Sequence, residues 1–240
     1  MANPVQETPI LPGTPVGKTT IPDMEVDLTQ SPSPTGDWLE ENQKLVIGIV
    51  GALVAIAAGI FLYRTFVVAP AQAAATENMW HAQRQFEQDS FNLALYNPAP
   101  GYLGFEDIAK EYGNTEAGNL ANYYAGISFL QLGQYEAAIS ALNDYDEEGD
   151  LLPVTKAGAL GDAHAQLGDL AKAKGYYEEA VDEADDNSLL APYYLKKLAL
   201  LNEREGNTAA ANGLYVRIRD EFPEATEATD VEKYILRTQS

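Results

Sequence analysis

The side chains best suited by type to do chemistry are two histidines, His81 and His164, and an acidic run, Asp144-Tyr145-Asp146-Glu147-Glu148-Gly149. Histidine titrates near neutral pH and is the usual general base, but it needs a nucleophile or an orienting carboxylate at a defined spacing. The chain has no cysteine, so neither a Cys-His couple nor a thiolate metal site can be assembled, and no serine stands in a glycine elbow. His164 falls at a position that recurs as core, which assigns its ring to packing. The acidic run opens like a calcium loop, yet the position that must supply a bidentate glutamate is Thr155, and Pro153 stands where the exiting helix should begin. It reads as a solvated turn between helices. Gly17-Lys18-Thr19 imitates a phosphate loop, but Pro12 occupies the earlier glycine and no strand precedes it. No catalytic, cofactor or metal residue is therefore expected. What remains is the chemistry of surfaces that bind other molecules.

One surface is apolar. Leu45 to Tyr63 contains no charged side chain, and Thr65 to Ala69 extends it past Arg64. About 20 apolar residues at 1.5 Å each cross a bilayer core of roughly 30 Å, so a transmembrane helix is expected within residues 38–69. Trp38 is a candidate interfacial anchor, and Asp37 a candidate cap. Small residues form two rows along the span, Gly48 with Ala52, and Gly51 with Ala55 and Gly59, which would let a second helix approach closely. Lys44 and Arg64 flank opposite ends, so charge leaves the orientation open.

Before the span, residues 1–37 hold seven of the thirteen prolines among threonine, serine and acids, a composition expected to form a disordered acidic tail. After it, residues 70–240 are expected to form one helical domain. The net charge is −21, and the part beyond Arg64 carries 12 basic against 29 acidic residues. That balance excludes nucleic acid as a partner, because phosphate binding needs a basic footprint.

Within this domain the chain echoes itself. A helix is expected from Ala71 to Leu95, with Met79, Ala82, Phe86 and Leu93 on its inner face, and a short one through Phe105, Ile108, Ala109 and Tyr112 closed by Gly113. Then Gly126, Phe129, Gly133, Ala138, Leu142 and Tyr145 recur 35 residues later as Gly161, His164, Gly168, Ala173, Tyr177 and Ala180. A third copy follows a further 38 residues on, with Ala199, Asn202, Gly206, Ala211, Tyr215 and Ile218, and Pro223 ends it. Such a period marks stacked helical hairpins that share one core. The first helix of each hairpin lines the concave side, which makes Tyr123, Ile127, Gln131, Asp162, Gln166, Tyr193, Lys196, Leu200 and Arg204 the expected protein-binding groove. Lys196, Lys197 and Arg204 form a basic cluster there that suits a carboxylate or an acidic partner helix.

The pattern GxxxxxxGxxxxA, at Gly126, Gly133 and Ala138 and again at Gly161, Gly168 and Ala173, resembles tetratricopeptide repeats. The fold class expected is all-α: a single N-terminal transmembrane helix followed by a short tetratricopeptide-repeat solenoid. A closer resemblance covers residues 38–240. A span followed directly by a degenerate hairpin, then EYGNTEAGNLANYYAGISFLQLGQYEAAI, GDAHAQLGD, APYYLKKLAL and FPEATEA, is similar to the YfgM-type ancillary subunit of the SecYEG translocon in its Bacteroidetes form. That resemblance implies a bacterial inner-membrane protein with a cytoplasmic N-terminus and a periplasmic repeat domain. It also implies SecYEG and a membrane-anchored periplasmic chaperone as partners. An accessory subunit of another inner-membrane complex, respiratory or envelope, is the alternative reading.

Overall fold

A computed structural model describes residue 38 and residues 42–147 and 149–239. The proline-rich leader and Asp37 lie outside those residues. Regular structure among the described residues is helical, apart from an isolated bridge between Ala99 and Tyr102. Contacts divide the chain into Met1–Ile56 and Ala57–Ser240.

The first helix, α1, runs Gln43–Tyr63, and none of its residues is buried. Its apolar side chains face outward all round, as in a helix whose solvent is not water. Helix continues through a π-turn at Arg64–Val68 into α2, Ala69–Phe86, so that Gln43–Phe86 is unbroken over 44 residues and is long and apolar enough to cross a membrane.

Here the sequence expectation needs correction. The helix expected from Ala71 to Leu95 is two helices, α2 and α3, Phe91–Tyr96. Asp89 adopts a left-handed φ of 55°, and the Asp89 and Ser90 amides turn back to the carbonyls of Phe86 and Gln85. Aspartate tolerates that conformation well enough to end a helix without glycine or proline. The change of direction exposes Leu93, which the single helix would have buried, and buries Ala94 and Leu95 instead. The next helix, α4, spans Phe105–Tyr112 as its spacing predicts, with Glu106 and Asp107 in its first turn and Lys110 in its last to oppose the helix dipole.

Three hairpins follow: α5, Glu116–Gln131, with α6, Tyr135–Asn143; α7, Leu152–Gln166, with α8, Leu170–Ala184; and α9, Leu190–Arg204, with α10, Thr208–Glu221. A closing helix α11, Val231–Thr238, packs against α10. Pro153 does not obstruct α7. It sits in the first turn, where its missing N–H would have had no helical partner. The glycines that turn each hairpin, Gly133, Gly168 and Gly206, have φ of 73°, 82° and 82°. A Cβ at such a position crowds the following carbonyl. Gly168→Ala is accordingly expected to cost about 1 kcal/mol in urea unfolding, although open space surrounds the site. Gly126 and Gly161 serve another purpose. A Cβ there would stand 2.5 Å from Leu142 Cγ and 2.6 Å from the Tyr177 ring, so both mark helix crossings.

The core is continuous in kind but gathered into clusters. Met79, Leu95, Phe105, Ile108 and Phe129 centre one, around α2 to α5. Val154, Tyr177, Leu195, Tyr215, Ile218 and Ile235 centre another, around α7 to α11. Leu142, Ala159 and Leu160 lie between.

Candidate protein-binding surface

The first helices of the three hairpins, α5, α7 and α9, carry the nine residues expected to line a groove, and the structure sorts them into two sets. Tyr123 and Asp162 are engaged in bonds between hairpins, and Lys196 in one to the start of the closing helix α11. The Tyr123 hydroxyl donates to Thr155 Oγ1 at 2.8 Å, and burial holds its pKa above the ordinary tyrosine value. Asp162 accepts from the Tyr177 hydroxyl at 2.7 Å and from Lys197 Nζ at 2.5 Å and 2.7 Å. Lys196 Nζ lies 3.2 Å from Asp230 Oδ1 and over the Tyr234 ring. Ile127 is half-buried against Leu142, Ala159 and Leu160.

Gln131, Gln166, Tyr193, Leu200 and Arg204 are exposed, with Tyr193 and Leu200 at 42% and 43%. The basic cluster is therefore different from its sequence reading. Lys196 and Lys197 are each neutralised by an internal carboxylate, and Lys197 also sits 4.9 Å from the centre of the Tyr193 ring. Arg204 is the member of the cluster left exposed without an ion pair among the described residues.

The remaining titratable groups singled out by type have structural partners. His164 is buried, its ring stacked parallel on Tyr176 with centroids 5.4 Å apart. Burial, then the Lys172 ammonium, lower its pKa against the opposing pull of Asp169, so it stays neutral at pH 7. His81 stacks on Tyr102 at 3.6 Å and helps hold the segment after α3 against α2. Asn78 Oδ1, accepting from the Leu103 amide, and Gln85 Nε2, donating to the Pro98 carbonyl, fix the same segment. In the acidic turn, Asn119 bonds both the N–H and the C=O of Asp146 at 2.8 Å, and Lys156 reaches the Tyr145 carbonyl and Glu147. The run is thus a backbone-clamped connection between α6 and α7.

On α1 the small residues Gly48, Gly51, Ala52, Ala55 and Gly59 are all exposed, and nothing lies within 4 Å of a Cβ built on the three glycines.

Sequence reasoning missed one surface. A cavity of about 600 Å³ lies against α2, the start of α5 and the start of α7, with Met79, Trp80, Gln83, Leu120, Tyr145 and Leu152 among its walls. Trp80 is 57% exposed although its neighbours in the helix, Met79 and Ala82, are core. The signal was present in the chain: an indole one position out of phase with the apolar stripe of its own helix.

Residues 120–148, which make up most of the first hairpin and its exit, match the tetratricopeptide repeat family. Over 110 residues the chain is 33% identical to heat shock protein STI1 of Saccharomyces cerevisiae, a match that covers 40% of this chain and 19% of that protein. The chain thus spans about a fifth of the curated relative's length. Among the described residues the molecule is all-helical, apart from the isolated bridge, with a tetratricopeptide-repeat region and one helix long and apolar enough to cross a membrane.

Proposed function

We propose that this chain is a non-enzymatic scaffold, anchored by a single span within residues 38–69, whose repeat domain, residues 70–240, binds protein partners through the exposed faces of α5, α7 and α9. The observation that carries the reading is an unburied apolar helix beside stacked hairpins in which Tyr123, Asp162 and Lys196 are bonded within the stack while Gln131, Gln166, Tyr193, Leu200 and Arg204 stay exposed. The order of elements supports a finer statement: an ancillary subunit of the SecYEG translocon in a bacterial inner membrane. Its N-terminal tail would be cytoplasmic, and its periplasmic repeats would engage a membrane-anchored chaperone or emerging clients. The exposed small residues of α1 support a second reading, an accessory subunit whose span packs into another inner-membrane complex.

Two measurements test this. Ile10→Cys and Ser240→Cys, made separately in the cysteine-free chain, are exposed to a membrane-impermeant thiol reagent on intact cells. Labelling is expected at 240 and not at 10, and the reverse pattern overturns the orientation. For partner recovery after mild crosslinking, Gln166→Lys with Arg204→Glu is expected to reduce yield about tenfold, while Gly51→Leu with Ala55→Leu leaves it intact. The opposite outcome moves the binding surface to the span and favours the second reading.

A further inference from the structure

The Trp80 cavity is separate from the exposed groove residues, and its walls suggest what would fill it. Its floor is apolar, from Met79, Leu120 and Leu152, and the indole of Trp80 is offered to solvent at one side. Large aromatic groups in such a setting dominate binding energies when a partner covers them. The charges beside it are mostly of one sign. Glu116 lines it, and the exposed Glu77 and Asp150 adjoin its lining residues Thr76 and Gly149. None of the three has an ion pair among the described residues. Two cations stand nearby: Arg84, 5.8 Å from the Trp80 ring, and Lys156, 5.7 Å from the ring of the lining residue Tyr145 and already paired with Glu147.

Two occupants are disfavoured by the same charge argument. The leader, residues 1–37, carries five acids against Lys18 alone, and a second copy would bring another domain with 29 acidic against 12 basic residues. Like charges brought together oppose docking. We infer that the cavity beside Trp80 takes a basic amphipathic segment of a different protein, with leucine-like side chains on the floor and lysine or arginine facing Glu77, Glu116 and Asp150. This rests on the scaffold reading and names the chemistry of one partner.

The test uses the full chain in zwitterionic detergent with Trp38→Phe, which leaves Trp80 as the sole tryptophan. The probe is a synthetic peptide of about 14 residues, roughly 20 Å as a helix, with leucines one turn apart and lysines elsewhere. Controls replace the lysines by glutamate or the leucines by serine. A saturable blue shift of Trp80 emission is expected with the lysine-leucine peptide alone, weakening as salt is raised. Reversing the exposed pair, Glu77→Lys with Glu116→Lys, is expected to weaken binding about tenfold, and Leu120→Asp to abolish it. Should Leu120→Asp fail to fold, the surface pair still decides. No shift, an equal shift with either control peptide, or indifference to the charge reversal overturns the inference. If that happens while Gln166→Lys with Arg204→Glu still loses partners on crosslinking, the cavity assignment falls and the scaffold reading stands.

Discussion

Gly118→Ala is expected to destabilise the repeat domain by about 3 kcal/mol or more, lowering its thermal midpoint by roughly 6–12 °C for a domain of this size. The cause is a contact between main chains. A Cβ at Gly118 would stand 1.8 Å from the carbonyl oxygen of Tyr112 and 2.2 Å from its carbon. A side chain in the way can rotate, but here the end of α4 lies against the first turn of α5 and has no freedom to retreat. Thr115 holds the turn closed, its hydroxyl accepting from the Gly118 amide at 3.0 Å. Opening the junction would drag Phe105 and Ile108 away from the α5 residues they pack against. The matched control is Gly175→Ala, an exposed position inside α8 with nothing within 4 Å of the new methyl. There alanine's better helix propensity should raise stability by up to about 1 kcal/mol. Circular-dichroism melts of the two variants in detergent should therefore move in opposite directions. Equal, small shifts would mean that the α4–α5 junction is looser than the 1.8 Å contact requires.

Gly118 also shows where the sequence was readable and where it was not. The turn and crossing glycines were legible because they recur one repeat apart, at Gly126 and Gly161 and at Gly133, Gly168 and Gly206. Gly118 occurs once, so periodicity could not mark it. Nor could it mark Asp89, which ends α2 by backbone conformation alone. In the candidate groove, helix phase singled out Gln131, Gln166, Tyr193, Leu200 and Arg204, all of which are exposed. It could not tell that Tyr123, Asp162 and Lys196 were taken by neighbours, since phase concerns one helix and those bonds join two. Yet a rule was available. Tyr123 to Thr155, Asp162 to Lys197, Lys196 to Asp230 and Glu203 to Arg237 span 32, 35, 34 and 34 residues. Stacked hairpins bring a residue beside its counterpart one repeat later. Complementary polar pairs at that separation are therefore candidates for rungs between one layer of the stack and the next, and residues without such a counterpart are the ones left exposed.

The rung with most at stake is Asp162. Its carboxylate, on α7, is shared by the Tyr177 hydroxyl from α8 and the Lys197 ammonium from α9, and so ties the second hairpin to the third. Tyr177 is 5% exposed, and burial and then the bond to Asp162 push its pKa far above the ordinary value, so it remains a neutral donor. Asp162→Ala removes the acceptor of both groups at once. The Asp162 and Lys197 side chains are 30% and 24% exposed, so water recovers part of the loss. The expected cost is about 2 kcal/mol, between the values for exposed and fully buried pairs. Lys197→Met should cost less, about 1 kcal/mol, because a methionine keeps contact with the Tyr193 and Tyr177 rings over which the ammonium now lies. Since both variants break the same bond, the double variant should be little worse than Asp162→Ala, with a coupling near 1 kcal/mol in urea unfolding. Strict additivity would show that the two side chains act independently and that Asp162 is available to an outside partner. A large coupling places Asp162 in the frame of the stack and leaves Gln166, one turn further along α7, as the exposed residue of that helix through which the proposed groove would make contact.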